Sequence, residues 1–169
     1  PLAFKGLVVV ALPLLALLGA LFSLYLASNA GTRAEEDVRR AFAIQRDTYQ
    51  VHALLAEAAA GARGYALTDE QRFLEPYRKA EADLPQTMAR LDRAIRDAKV
   101  RSLFEELQTL TTRKREGLAL IVSLAGKDAD PDSLQAALTA NKLVLDTMRE
   151  RIDSIQQREA ILLAQRQER

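Results

Sequence analysis

The stretch DPDSLQAALTANKLVLDTMRERIDSIQQREAILL, residues 130–163, decides the fold. Leu134, Leu138, Asn141, Leu145, Met148, Ile152, Ile155, Glu159 and Leu162 succeed one another in alternating steps of four and three. That period places them along one stripe of an α-helix. Asp130 is a natural cap and Pro131 suits the first helical position, where a missing amide hydrogen costs nothing. The pattern persists nearly to the last residue. A helix that long cannot bury its stripe alone, so the remaining sequence must supply matching stripes.

Three more stripes precede it. From Arg33 to about Arg63, Val38, Phe42, Gln45, Tyr49, His52, Ala56 and Ala59 follow the same steps. Gly61 and Gly64 then weaken the helix, and Thr68 followed by Gln71 is a capping-box signal for a new start. Leu84, Met88, Leu91, Ile95 and Ala98 form the second stripe, with Pro76 and Pro85 predicting a short first piece and a kink. The apolar phase breaks after Ala98, where Ser102 and Glu105 read as another cap and a tight turn is expected. The third stripe is Leu103, Leu107, Leu110, Lys114, Gly117, Ile121 and Leu124, with a stop at Gly126. Ala, Leu, Arg, Glu and Lys make up about 55% of the chain, above the roughly 50% typical of long helices. The expected fold is all-α: an N-terminal transmembrane helix followed by an antiparallel four-helix bundle with long first and last helices.

The membrane segment is read from charge. No charged residue lies between Lys5 and Arg33, and Leu7 to Ala27 is almost wholly Leu, Val and Ala. At 1.5 Å per residue such a run crosses a bilayer core of about 30 Å. A secretory signal peptide cleaved after Ala30 is the alternative, but the apolar stretch exceeds the roughly 7 to 15 residues of a signal core. Gly19, Ser23 and Ala27 recur every fourth residue, the small-xxx-small spacing that lets spanning helices approach closely. The expected division is a cytoplasmic stub at 1–5, a transmembrane helix at 6–28 and an extracytoplasmic helical domain at 29–169, with Lys5 weakly favouring the cytoplasm. Four antiparallel helices return the chain to the membrane side, so a second span is expected beyond Arg169. The first and last helices, about 30 to 40 residues each, would be rods of roughly 45 to 60 Å.

Composition excludes much else. Among 169 residues there is one His and no Cys, so no disulfide framework, thiolate site or multi-histidine cage can form. The net charge is +1, and without Lys5 it is zero, which argues against nucleic-acid binding. No phosphate loop or metal-protease spacing occurs. No catalytic residue, metal or cofactor is therefore expected.

Gly61-Ala62-Arg63-Gly64-Tyr65-Ala66-Leu67-Thr68, followed by Phe73-Leu74-Glu75-Pro76-Tyr77, resembles the signature of the third class of CHASE-type extracellular sensory domains. The resemblance covers roughly residues 35–165. It implies a bundle of long helices serving as the input module of histidine kinases, diguanylate cyclases or chemoreceptor-like proteins in the bacterial inner membrane. It also implies that any enzyme lies in an output domain outside these residues. Two departures stand out. Asp69 occupies a position where the family usually has Gly, which favours capping over a flexible turn. Thr139-Ala140-Asn141-Lys142 replaces a Gly-containing break, leaving open whether the fourth helix starts near Pro131 or after Asn141.

Arg63 and Tyr65, with Gly61, Gly64 and Tyr77, are the candidate ligand- or signal-sensing residues. Arg63 could grip a carboxylate bidentately and Tyr65 could close over an apolar ligand. The competing reading pairs Arg63 with Glu57, Asp69 or Glu70 and packs Tyr65 into the bundle. His52 is a candidate proton sensor or a tolerated core residue. Lys114, Asn141 and Glu159 interrupt apolar seams, either fixing register or lying at a wet edge. The expected function is sensory input relayed by helix displacement, in a homodimer at the membrane, with a small molecule or a periplasmic protein as cue. The rival reading is a membrane-tethered helical scaffold without signalling output.

Overall fold

The computed structural model describes residues 2–125 and 130–167; within them, side chains are described for 14–25, 35–125 and 130–165. The described residues form four long helices and one short turn: α1 (Leu2–Thr68), a 3-10 turn (Gln71–Leu74), α2 (Glu75–Ala94), α3 (Ala98–Leu124) and α4 (Pro131–Gln167). No strand occurs among them.

Cross-helix pairs fix the directions. Asp47 meets Arg90 while Gly61 faces Phe73 and Pro76, so α1 and α2 are antiparallel. Glu81 with Arg115 and Asp92 with Arg101 set α2 against α3 in the same way. Lys114 with Asn141 and Glu106 with Arg151 do so for α3 and α4, and Thr48 with Gln156 closes the ring from α4 to α1. Ile44, Val51 and Leu55 of α1, Leu84 and Leu91 of α2, Phe104, Leu107 and Ile121 of α3, and Met148, Ile152 and Ile155 of α4 form one core. Each such side chain contributes about 1.5–3 kcal/mol by leaving water.

The expected stripe holds on α4, where Asn141, Met148, Ile152, Ile155 and Glu159 are all buried. Asp130 accepts from Ser133 N at 3.0 Å, so α4 starts at Pro131 and runs unbroken through Asn141. The stop expected at Gly126 lies outside the described residues.

Four local expectations are corrected. α1 does not break near Arg63; it is continuous to Thr68, because the next segment packs onto its glycines and supports the helix. The α1 stripe is displaced by one position: the buried face is Ile44, Thr48, Val51, Leu55, Ala58 and Ala62, while Phe42 and Tyr49 are 65% and 56% exposed. α2 passes through Pro85 without a break. The α2–α3 turn lies before Ala98, since the Asp97 carboxylate accepts from Lys99 N and Val100 N, both at 3.1 Å, and Ser102 sits inside α3.

Among the described residues no helix is long and apolar enough to cross a membrane. Of the expected span at 6–28, side chains are described only for 14–25, where all are exposed, Gly19 and Ser23 among them. Ala27 lies outside the described side chains.

Candidate functional site

The far end of α1 is shaped by two absent side chains. A Cβ on Gly61 would stand 2.3 Å from the Phe73 carbonyl oxygen, and one on Gly64 would stand 2.7 Å from the Phe73 ring. Contacts that short require something to move, so both glycines serve the close approach of the 3-10 turn to α1. Thr68 Oγ1 donates to Gly64 O at 2.8 Å, and Glu70 N donates to Thr68 Oγ1 at 3.3 Å. Asp69 then adopts φ 59° while its N–H donates to Tyr65 O at 2.8 Å. This is a left-handed helix cap, a conformation glycine takes without strain and Asp tolerates better than most residues. Asp69 therefore takes the backbone geometry that a glycine would supply there.

Around this corner Arg72 pairs with Glu70 and lies over the Phe73 ring at 5.2 Å. Tyr77 is half-buried, and burial and the Glu81 carboxylate push its phenol upward. Arg115 grips Glu81 from Nε at 2.8 Å and from a second nitrogen at 2.5 Å, which holds that carboxyl below its usual range. Tyr65 is half-buried, and Arg63 is exposed. Among the described residues Arg63 makes no hydrogen bond or ion pair, so the expected pairing with Glu57, Asp69 or Glu70 is not formed. Its charge acts instead on Lys114.

Lys114, only 1% exposed, leads to the second feature. Its Nζ donates to the Asn141 carbonyl at 2.8 Å and to Asn141 Oδ1, and Asn141 Nδ2 donates back to Lys114 O at 3.0 Å. Gly117 makes room, since a Cβ there would meet Asn141 Nδ2 at 2.3 Å. Burial, reinforced by the Arg63 charge, pushes the lysine down to about 8. Lys114, Asn141 and Glu159 thus lie within the seam and not at a wet edge. Gly117, placed on the third stripe by spacing alone, is required there by the asparagine.

A second polar layer escaped the sequence pattern. Asp47 and Thr48 are buried on α1. Arg46 donates to Asp47 at 3.0 Å, and Arg90 reaches Asp47 at 3.4 Å, Gln50 at 3.1 Å and Thr87 at 3.1 Å. Gln156 Nε2 donates to Thr48 Oγ1 at 3.0 Å, tying α4 to α1. Thr48 sits in phase with Ile44 and Val51, and that phase was the available signal. His52 lies outside this layer, half-buried, with Arg149 3.4 Å from its Nε2. Burial and the Arg149 charge lower its pKa, against a smaller opposing effect of Asp153.

The structure thus joins Gly61, Gly64 and Phe73 at one corner and Lys114 with Asn141 in the interior; among the described residues it gives Arg63 no hydrogen bond or ion pair and sets His52 apart. Among the described residues no group of three or more His, Asp or Glu side chains could hold a metal ion. The polar layers lock the register of neighbouring helices, because sliding one helix past the other would strand buried donors and acceptors.

The family model of the CHASE3 domain matches residues 34–169. The chain belongs to the CHASE3 family. CHASE3 domains are sensory input domains of signalling receptors and are not themselves catalytic. No curated protein and no solved structure matches the chain. In this CHASE3 domain the matched region begins within α1, at Ala34, and takes in the glycine corner and both polar layers.

Proposed function

We propose that this CHASE3 domain is the extracytoplasmic input module of a membrane-anchored receptor, with α1 and α4 carrying its state toward the membrane. The observation that carries the reading is the continuity of α1, a single helix from Leu2 to Thr68. It joins the uncharged stretch between Lys5 and Arg33 to the glycine corner without an intervening hinge. α4 lies antiparallel to α1 and returns to the same end, held there by Gln156 on Thr48. A continuous helix transmits an axial or rotational shift along its length, whereas a flexible joint would absorb it. A bias of about 1–3 kcal/mol between two packings corresponds to a five- to hundredfold change in output. The buried polar layers supply discrete registers between which such a bias can act. Arg63 and Tyr65 at the corner are the proposed point of entry for the cue, with residues 6–28 as the anchor and a histidine kinase, diguanylate cyclase or chemoreceptor-like module as output.

Topology fusions test this reading. Alkaline phosphatase inserted after Ala125 is expected to be active, and a fluorescent protein placed ahead of Pro1 is expected to fluoresce. The opposite pair of results, or release of the chain from the membrane fraction, would overturn it. In the full receptor, Arg63→Ala should change output at an unchanged thermal midpoint; an unchanged output would remove Arg63 from the sensing role.

A further inference from the structure

The outer side of the α3–α4 seam carries a groove of about 290 Å³, close to the lower end, roughly 300 Å³, of small-molecule sites. Its volume comes from small residues, Gly117 on α3 and Ala137 and Ala140 on α4. Its polar wall is Asn141, only 4% exposed. An asparagine amide nitrogen carries two hydrogens. One of them goes to Lys114 O at 3.0 Å, and the other has no acceptor among the described residues. Arg113 and Glu116, about one helical turn apart, line the same groove. Neither makes a hydrogen bond or ion pair among the described residues, not even with the other. Behind Asn141 lies the Lys114 ammonium, buried and without an ion pair among the described residues. Arg63 adds its charge there, and Asp146, which acts on the lysine from a distance, is itself held by Lys142 at 2.7 Å. The groove wall therefore offers a spare N–H donor in a field of positive sign, a setting that favours a carboxylate.

We propose that this groove binds a single α-amino acid with an aliphatic side chain. Its carboxylate accepts from the Arg113 guanidinium and from Asn141 Nδ2, and its ammonium donates to Glu116. Its side chain lies over Gly117 toward Leu120. The register sets that order. Lys114 and Gly117 both meet Asn141, which puts Arg113 level with Val144 at one end of the groove and Leu120 level with Ala137 at the other. The distance of about 10 Å between these ends accommodates one amino acid with its side chain extended. Opposite charges at this spacing on a helix face ordinarily support each other; here a zwitterion supplies each with its counterpart. Arg113 and Glu116 are both exposed, so rotamer changes alone bring their charged ends over the groove. The site is separate from the corner at Arg63 and Tyr65 and does not rest on the reading of that corner or on the membrane anchor.

Isothermal titration calorimetry of the full chain in mild detergent tests the site, with L-leucine, L-isoleucine, L-valine and L-methionine as probes. At least one of them is expected to bind saturably at one molecule per chain. Two truncated probes separate the sources of affinity: isocaproate keeps the carboxylate and side chain of leucine without the ammonium, and isopentylamine keeps the ammonium without the carboxylate. Each is expected to bind about tenfold or more weakly than L-leucine, the loss of one charge-assisted contact. Arg113→Gln and Glu116→Gln are expected to weaken the amino acid by a similar factor at an unchanged thermal midpoint, since both positions are exposed. Ala140→Leu, which fills the groove, is expected to abolish binding while the helical circular-dichroism signal is kept. Absence of saturable binding by all of these amino acids overturns the proposal. So does binding that both Gln variants and Ala140→Leu leave intact, which would place the amino acid elsewhere on the chain. Isocaproate binding as tightly as L-leucine would make the groove a site for simple carboxylates and sink the amino-acid assignment together with the role of Glu116.

Discussion

Lys114 and Asn141 clasp each other across the α3–α4 seam: the lysine Nζ donates to the asparagine carbonyl at 2.8 Å, and the asparagine Nδ2 donates to the lysine carbonyl at 3.0 Å. The pair joins two helices through backbone as well as side chains, so it fixes their register. Among the described residues no carboxylate forms an ion pair with this buried ammonium, and the more distant Asp146 only partly offsets burial, so its charge is a standing cost to the fold.

Stability should accordingly rise with pH above neutrality. The folded pKa of Lys114 is about 8, against about 10.4 for a lysine in an unfolded chain. Between these values the unfolded state binds more protons, so stability increases with pH across that window, by up to about 3 kcal/mol, and is lowest below pH 8. Urea denaturation from pH 7 to 10 is expected to show this rise in the parent and a flatter profile in Lys114→Met. Parallel profiles would mean that the lysine is solvated.

The two glycines of the corner should differ in tolerance. Gly61→Ala places a methyl group against a backbone carbonyl that cannot yield, and overpacking of this kind costs about 1–3 kcal/mol. At Gly64 the obstacle is the Phe73 ring, which can tilt away, and alanine gains about 1 kcal/mol of helix propensity. Gly64→Ala should therefore lie near neutral, and thermal unfolding of both variants checks the order.

Asp69 should prefer to be glycine. With φ 59° it holds a left-handed conformation that costs a side-chain-bearing residue about 1–2 kcal/mol, less for Asp than for most. Asp69→Gly is expected to stabilise by up to about 1 kcal/mol and Asp69→Val to destabilise. A stabilising valine would show that the cap is not kept in solution.

His52 should titrate below the usual histidine range, because burial and Arg149 both disfavour the imidazolium. Its contribution to stability is present above about pH 6.5 and is lost as pH falls through the folded value. Arg149→Ala is expected to raise the titration midpoint of the ring, read by NMR. No change would place the arginine away from the imidazole in solution.

Much of the fold was legible in the residues. The α4 stripe reads correctly because its members recur in alternating steps of four and three, whereas its start, left open between Pro131 and Asn141, was decided by the Asp130 cap and the unbroken helix that follows. α2 and α3 read well in the middle and less well at their ends, since two caps, Asp97 and Ser102, compete within six residues. The candidate site was legible as a motif and not as chemistry. Gly61-x-x-Gly64 pointed to the corner, but spacing could not say that both glycines admit Phe73, or that Glu70 pairs with Arg72 and not with Arg63.

By itself the sequence determined that the chain is helical and that Lys114, Asn141 and Glu159 interrupt the seams of α3 and α4, because period is a local property. Only the tertiary structure decided which of two adjacent stripes on α1 enters the core. Both stripes have the same period, and the alanine-rich run from Ala53 to Ala62 gives little hydrophobic contrast between neighbouring faces. The choice falls to shape. Ile44, Val51 and Leu55 fit among Leu91, Phe104 and Ile155, and the aromatic rings of Phe42 and Tyr49 are left facing outward.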